Sequence, residues 1–348
     1  MAAEEEERLE DFRNQNIERP IMRDGSDPFS IEDVRFVELF RLNKDMAQYV
    51  YNGIGPNMVQ TNNPVAIPSI LKFFGVLRFL ATGAYQRVIG CGFDISMSQQ
   101  SISRAVEEVT TTITNTFSEQ WINFPTTEAS KNNIKQGFMA AFNFPGVIGA
   151  VDCTHVEIVR PSMEEHNYLN RKGYHSKNIQ LICDHQLKIL NINIRYAGAT
   201  HDAYIWRNSR VREQLERNYE RGERNSWLLG DSGYPQEPWL MTPIGNALPN
   251  TPEHRYTQAQ IRARNSVERC IGVLKGRFLC LSKIMRYSPE KVGNIFNDCG
   301  ILHNICLNGV LDFDLPLPPP ADDPDNNVFN NRGDGHISRQ NLIQRYFT

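Results

Sequence analysis

A chain of 348 residues, 40% hydrophobic and 22% charged, is long enough to bury one large core or two, which excludes a small staple-dependent module. Its longest apolar stretches, such as Phe73-Phe74-Gly75-Val76-Leu77, are broken by charge within a few residues, so no transmembrane span is expected. The formal charge of -3 conceals two acidic tails, residues 1–27 (nine acidic, four basic) and 312–336 (six acidic, one basic); removing their -10 leaves +7 on residues 28–311 and 337–348 together.

That excess concentrates in residues 255–291, where nine Arg and Lys side chains face only Glu268 and Glu290. Such a stretch suits either a phosphate-bearing partner or a solvated helix surface, and charge alone does not separate them. Seven cysteines without a CxxC pair fit a reducing compartment and argue against a disulfide framework or a structural zinc site. The acidic start lacks the basic-then-apolar order of a secretory signal.

Residues 1–27 show little apolar periodicity and are expected to be a disordered tail. Helical patterning starts near Ser30-Ile31-Glu32-Asp33, where cap and first-turn acid chemistry precede Val34, Val37, Leu39 and Phe40. A second helix is predicted over Asn43 to Tyr51, stopped by Gly53. A third opens at Pro68-Ser69 and closes at Thr82-Gly83. Then come a short segment at 85–91, a turn at 92–97, and a helix introduced by Ser98-Gln99-Gln100-Ser101. Helix, short helix, tight turn and polar-tipped helix make a helix-turn-helix, and its base or phosphate contacts would be Gln99, Gln100, Ser103 and Arg104. A plain helical bundle remains the alternative over residues 28–140.

The pattern changes at Pro145-Gly146. Val147 to Asp152 is apolar up to one carboxylate, as in a strand covered on both faces. Ile179–Cys183 and Ile189–Ile194 form a predicted hairpin around Asp184-His185-Gln186, and a helix follows near 203–216. Trp227–Leu229 is again an apolar strand, ended by Gly230-Asp231. Long helices are predicted over Ala259–Leu281, with Val267, Ile271, Leu274, Phe278 and Leu281 as its buried stripe, and over Pro289–Leu311. This places an α/β domain at 141–311 and an acidic, proline-rich tail at 312–348.

Three carboxylates stand out by position. Asp152 and Asp231 each end a predicted strand, where ligands collect in open α/β sheets, and Glu268 lies on the basic helix. Two strand-end aspartates and a helix acid packed across them can hold a pair of hard cations, Mg²⁺ or Mn²⁺ about 4 Å apart, for in-line phosphoryl displacement. Taken singly, each acid reads more readily as a turn former, a helix cap or half of an ion pair. Along the helix, Gly272 and Lys275 share the face of Glu268, and Arg264 and Lys275 are candidate phosphate contacts. Arg171 and Lys172 occupy a polar loop where strand or phosphate contacts are expected. His155 is placed to order the site through a neighbour's bond, and Asp202 either assists the metals or caps the next helix, the cap being favoured. Trp239 is expected to pack.

Gly149-Ala150-Val151-Asp152-Cys153-Thr154-His155, Asn170 to Ser176, Ala199-Thr200-His201-Asp202, Gly230-Asp231-Ser232-Gly233-Tyr234-Pro235, Asn265 to Phe278 and Leu302-His303-Asn304 form an ordered motif series. In it, and over about residues 40–310, the chain resembles the PIF/Harbinger DDE transposases and their domesticated nuclease relatives. The resemblance implies an RNase H-like mixed-sheet catalytic domain behind a helical region. Asp152, Asp231 and Glu268 match the three acids, 79 and 37 positions apart. It further implies cleavage, with possible joining, of double-stranded DNA at transposon ends by two divalent cations, a nuclear setting and a Myb-like accessory protein. A homodimer or larger assembly is expected. The rival is a catalytically silent DNA-binding adaptor acting with such a partner; a small-molecule phosphohydrolase ranks below both.

Overall fold

The computed structural model describes residues 27–59, 66–84, 97–309 and 333–348. Three helices come first: α1 (Asp33–Phe40), α2 (Lys44–Ile54) and α3 (Ser69–Thr82). Asn43 caps α2 by accepting from the Met46 amide at 2.8 Å, and Gly83, at φ 57°, ends α3. At the start of α1, Glu32 occupies the cap position without a side-chain hydrogen bond, so the expected Ser30 cap is not used. Phe36, Phe40 and Phe74 knit α1 to α3 by tilted and edge-on ring contacts. Ser98 caps α4 (Gln99–Trp121), and α5 (Glu128–Phe142) follows. The short segment and turn expected at 85–96, on which the helix-turn-helix reading depends, lie outside the described residues, as does the tail at 1–26.

The second half is a mixed five-stranded sheet. Strand β1 (Val147–Glu157) is followed by the one-turn helix α6 (Glu165–Tyr168), then β2 (Ser176–Cys183) and β3 (Ile189–Ala197). Helices α7 (Asp202–Arg207) and α8 (Arg210–Glu220) replace the single helix expected there, split where the Ser209 side chain caps α8. The short strands β4 (Trp227–Leu229) and β5 (Leu240–Met241) lead to α9 (Pro252–Arg277), α10 (Pro289–Asn308) and α11 (Gly333–Tyr346). Strand order is β3-β2-β1-β4-β5, antiparallel among β1, β2 and β3, parallel from β1 to β4 and from β4 to β5.

Asp152 does not end its strand. Pairing of β1 with β2 continues to Glu157↔Ser176, which carries the extended backbone five residues past the carboxylate. What ends near Asp152 is the parallel partner, whose last register pair with β1 is Ala150↔Leu229.

Helix α10 lies close on β3 because Gly300 and Gly293 face Ile192 and Ile194; a Cβ on Gly300 would fall 2.4 Å from Ile192 Cδ1. The His303-Asn304 motif secures that contact. Asn304 accepts from the Ile189 amide and donates to the Ile189 carbonyl, both at 2.8 Å, and His303 Nε2 lies 2.9 Å from the Leu187 carbonyl. The resemblance had supplied this motif without a role, and its role is to fasten a helix to a hairpin.

The chain enters β1 through Gly146, at φ +74°, whose carbonyl accepts from the Trp227 amide at 3.1 Å. A Cβ there would fall 2.5 Å from the Trp227 ring. Gly146→Ala is therefore expected to destabilise the protein by about 2 kcal/mol or more, from the left-handed backbone and the displaced indole together. Urea unfolding of the variant against wild type measures it, and an unchanged midpoint would refute the strain.

Residues 333–348 are not tail. Leu342, Ile343 and Phe347 are buried, Phe347 meets Phe144 at a tilt and Tyr256 edge-on, and its carbonyl accepts from Arg255 at 2.8 Å. Among the described residues no helix is long and apolar enough to cross a membrane.

Candidate nuclease site

Register brings the two aspartates together. Ala150 and Leu229 are paired across parallel strands, so two residues further along each chain Asp152 and Asp231 occupy equivalent places, where β4 has stopped and the sheet opens. The Asp231 turn is set by its own Oδ1, which accepts from the Gly233 amide at 2.9 Å. Helix α9 is clamped across this opening by Gln260, whose Nε2 donates to the carbonyls of Gly230 (2.7 Å) and Met241 (3.2 Å). Arg264 and Glu268 follow Gln260 at intervals of four residues, so the clamp that fixes the strand ends also sets these two over them.

The result is a cavity of about 180 Å³ whose lining includes Asp152, Asp231, Glu268, Asp202 and Arg264, with His155, Arg171 and Lys172 further along its wall. Glu268 Oε1 accepts from both Nη atoms of Arg264, at 3.0 and 2.7 Å, while Nη2 also lies 3.3 Å from Asp152 Oδ2. The other Asp152 oxygen accepts from the Cys153 amide at 2.8 Å. Burial pushes the Asp152 carboxyl up to about 7; Arg264 works against that shift, and Asp231 and Asp202 add to it. Burial acts against the charge of Arg264, but Asp152, Asp231 and Glu268 more than reverse this and hold its pKa above the usual arginine value.

Asp202 joins the acids instead of capping α7, since His201 holds the cap position without a side-chain bond. Its Oδ1 accepts from Asn178 Nδ2 at 2.7 Å, and the same amide donates to the Thr200 carbonyl at 2.8 Å. Asn178 was not singled out from sequence. Its signal is weak, since Ser176, Lys177 and Gln180 share the same fully buried strand; what the fold adds is that a side chain 1% exposed needs a partner.

His155 Nδ1 stands 2.9 Å from Ser176 Oγ, which also accepts from Asn170 Nδ2 at 2.9 Å, so the ring is itself held in place by a neighbour. Burial first, then Lys275, Lys172 and Arg171, bring its pKa down to about 4, which leaves the ring neutral at pH 7. Lys275 donates to the His155 carbonyl at 2.8 Å, and burial lowers its pKa to about 8. Its ammonium is thus turned onto strand β1 in this state. Arg171 and Lys172 are exposed in a loop shaped by Asn170, whose Oδ1 accepts from the Lys172 amide at 2.9 Å. Gln99, Gln100 and Arg104 are exposed at the start of α4, and the Ser103 carbonyl accepts from Lys291 at 3.0 Å; none of the four lines this cavity. Trp239 packs, 2% exposed, with its indole nitrogen bonded to Glu237.

The donor chemistry fits hard divalent cations, which take carboxylate oxygens: Asp152, Asp202, Asp231 and Glu268 share one cavity. Among the described residues, however, no three His, Cys, Asp or Glu side chains already stand at metal-ligand spacing. The Arg264 guanidinium lies between Asp152 and Glu268.

Residues 151–304 match the family described as DDE superfamily endonuclease. "Putative nuclease HARBI1" of Homo sapiens is 34% identical over 307 residues, covering 86% of this chain and 86% of its own. The Xenopus laevis protein of that name is 33% identical over 294 residues, 82% of each chain. "Protein ALP1-like" of Arabidopsis thaliana is 23% identical over 312 residues, 83% of this chain and 73% of its own. No solved structure matches the chain. A third of all positions shared along most of both chains, with the endonuclease match spanning the strands and helices that build the cavity, settles the kinship: this chain belongs to the Harbinger transposase-derived nucleases of the DDE superfamily.

Proposed function

We propose that the chain is a DNA endonuclease that cuts phosphodiesters at its Asp152, Asp231 and Glu268 cluster, using two divalent cations. The observation that carries this reading is the register of β1 and β4, which sets two aspartates side by side below a glutamate on α9. The strand order β3-β2-β1-β4-β5, with one antiparallel and one parallel half, supports an RNase H-like catalytic domain. When bound, Mg²⁺ or Mn²⁺ would supply charge to the attacking and leaving oxygens of an in-line displacement.

The chain's own groups prepare the rest. Asp152, Asp231 and Glu268 would be the ligands, with Asp202 adding negative charge from a position held by Asn178. Arg171 and Lys172, exposed along the cavity wall, would meet the DNA backbone, and Arg264 and Lys275 would do so once freed from their present partners. Neutral His155 would keep the β1 end in place without adding charge. The tip of α4, with Gln99, Gln100, Ser103 and Arg104, would read DNA away from the cut. Joining of freed 3′ ends, a Myb-like accessory partner, a nuclear setting and a multimeric active form complete the proposal.

One observation favours a second reading, a silent DNA-binding adaptor: the guanidinium of Arg264 already bridges two of the three acids. Nicking of supercoiled plasmid with and without Mg²⁺ or Mn²⁺, by wild type and by Asp231→Asn, separates the two. The nuclease reading expects metal-dependent nicking that falls about a thousandfold or more in the variant with DNA affinity kept. Equal DNA affinity with no nicking by either protein would leave the adaptor.

A further inference from the structure

Asp152 and Glu268 lie far apart in the chain and come from a strand and a helix, yet one side chain touches both. Arg264 directs two N–H groups at Glu268 Oε1, and one of those nitrogens also lies 3.3 Å from Asp152 Oδ2. Spacing alone explains only the Glu268 half, an i,i+4 pair of a kind that contributes little on an exposed helix. Three features set it apart from such a pair.

The first is burial, for the side chain of Arg264 is 14% exposed and that of Asp152 16%. The second is incomplete bonding: among the described residues Arg264 Nε, though buried, finds no hydrogen-bond partner. Arg277 Nε shares that lack, so the unmet donor lowers what Arg264 gives up on moving without by itself marking it as mobile. The third is convergence. Asp152, Asp231 and Glu268 all act on this one guanidinium, and Asp202 faces the same cavity. Arg264 bridges Asp152 and Glu268 directly, while Arg171 and Lys172 stand further along the cavity wall.

We infer that Arg264 is a displaceable latch: its guanidinium holds Asp152 and Glu268 together in the metal-free protein and competes with divalent cations for the same two carboxylates. The inference rests on the proposed function, in which those acids are metal ligands, and it makes Arg264 a positioning residue. Before Asp152 and Glu268 can turn to a dication, both Nη contacts must break. The side chain is long enough to swing away while its backbone stays fixed in α9, and the missing Nε bond lowers what must be given up. Metal therefore binds more weakly than the acids alone would allow, and the metal-free fold is firmer than it would be without the arginine.

Arg264→Gln and Arg264→Lys test this without DNA. Free Mn²⁺ is followed by electron paramagnetic resonance during titration, and thermal unfolding is recorded in EDTA and in Mn²⁺. Arg264→Gln should melt below wild type in EDTA, bind Mn²⁺ about tenfold more tightly or better, the scale of one lost charge-assisted hydrogen bond, and gain more from Mn²⁺ on melting. Arg264→Lys keeps the charge but not the fork, so it should fold and fall between the two. Adding Asp152→Asn should weaken Mn²⁺ binding in every background, which locates the ion. If Arg264→Gln and Arg264→Lys bind Mn²⁺ no better than wild type while binding still depends on Asp152, the latch is wrong and the metal site stands. If no protein binds Mn²⁺, the metal reading fails and takes the latch with it.

Discussion

Asp152→Asn is expected to end DNA cleavage and, in the same molecule, to make the metal-free protein more stable at neutral pH. The loss of cleavage follows from removing a proposed ligand and should be about a thousandfold or more. The gain in stability follows from the raised pKa. Unfolded, the carboxyl ionises near 3.8; folded, burial and the acids around it hold it to about 7. Below pH 4 both states are protonated and the native state keeps its full stability. Between pH 4 and 7 the unfolded chain gives up its proton while the native state retains it, so stability declines as pH rises through this window. The decline attributable to this group amounts to up to roughly 4 kcal/mol. Asparagine fills nearly the same space and cannot ionise. Urea unfolding in EDTA at several pH values should show wild type and variant converging near pH 4 and separating by pH 8, with the variant the more stable. Parallel curves would mean that Asp152 is not repelled in the native state.

Glu237→Ala is expected to destabilise the protein by about 3–5 kcal/mol, the usual loss on removing one partner of a buried ion pair. Glu237 is 4% exposed and fully engaged. One oxygen accepts from the indole nitrogens of Trp206 (2.8 Å) and Trp239 (3.0 Å), and the other from Arg212 Nε (3.0 Å) and Nη2 (2.8 Å). Alanine would leave two buried indole N–H groups without an acceptor and Arg212 with Glu216 as its remaining carboxylate partner. Because this knot ties α7 and α8 to the segment between Asp231 and β5, its loss should also loosen the placement of Asp231. Glu237→Gln keeps the shape and gives up the charge, so it should lose less. Denaturant midpoints of the three proteins give the comparison, and an alanine variant within 1 kcal/mol of wild type, far inside the usual loss, would show that Trp206 and Trp239 find other acceptors.

Much of the frame was legible because the signals were local. The Ser98 and Asn43 caps, the Gly83 stop and the apolar runs at Val147 and Trp227 each need only a few neighbouring residues, and the helices and strands fall there. What escaped depends on distant partners. Asp152 looks like a strand end because polar residues follow it, yet β2 runs on beside them and keeps the backbone extended. Strand β5 is two residues long and exists because Leu228 and Leu229 are available to pair with it. At the site, the residue types were readable and the contacts were not. An Arg four positions before a Glu announces an ion pair, but nothing local says that the same guanidinium also reaches Asp152 on strand β1.

The last helix was missed for a related reason. Its composition is polar, and its anchoring depends on surfaces formed far upstream: Arg339 donates to the Thr242 carbonyl at 3.3 Å, and Gln236 Nε2 donates to the Gly335 carbonyl at 3.1 Å. Helix α11 is thereby a buttress for the turn that follows Asp231. A shortened version lacking it would bare the Phe144 and Tyr256 rings to solvent and invite self-association. Laboratory handling should respect that closure: an affinity handle fused directly behind the packed Phe347 would crowd it.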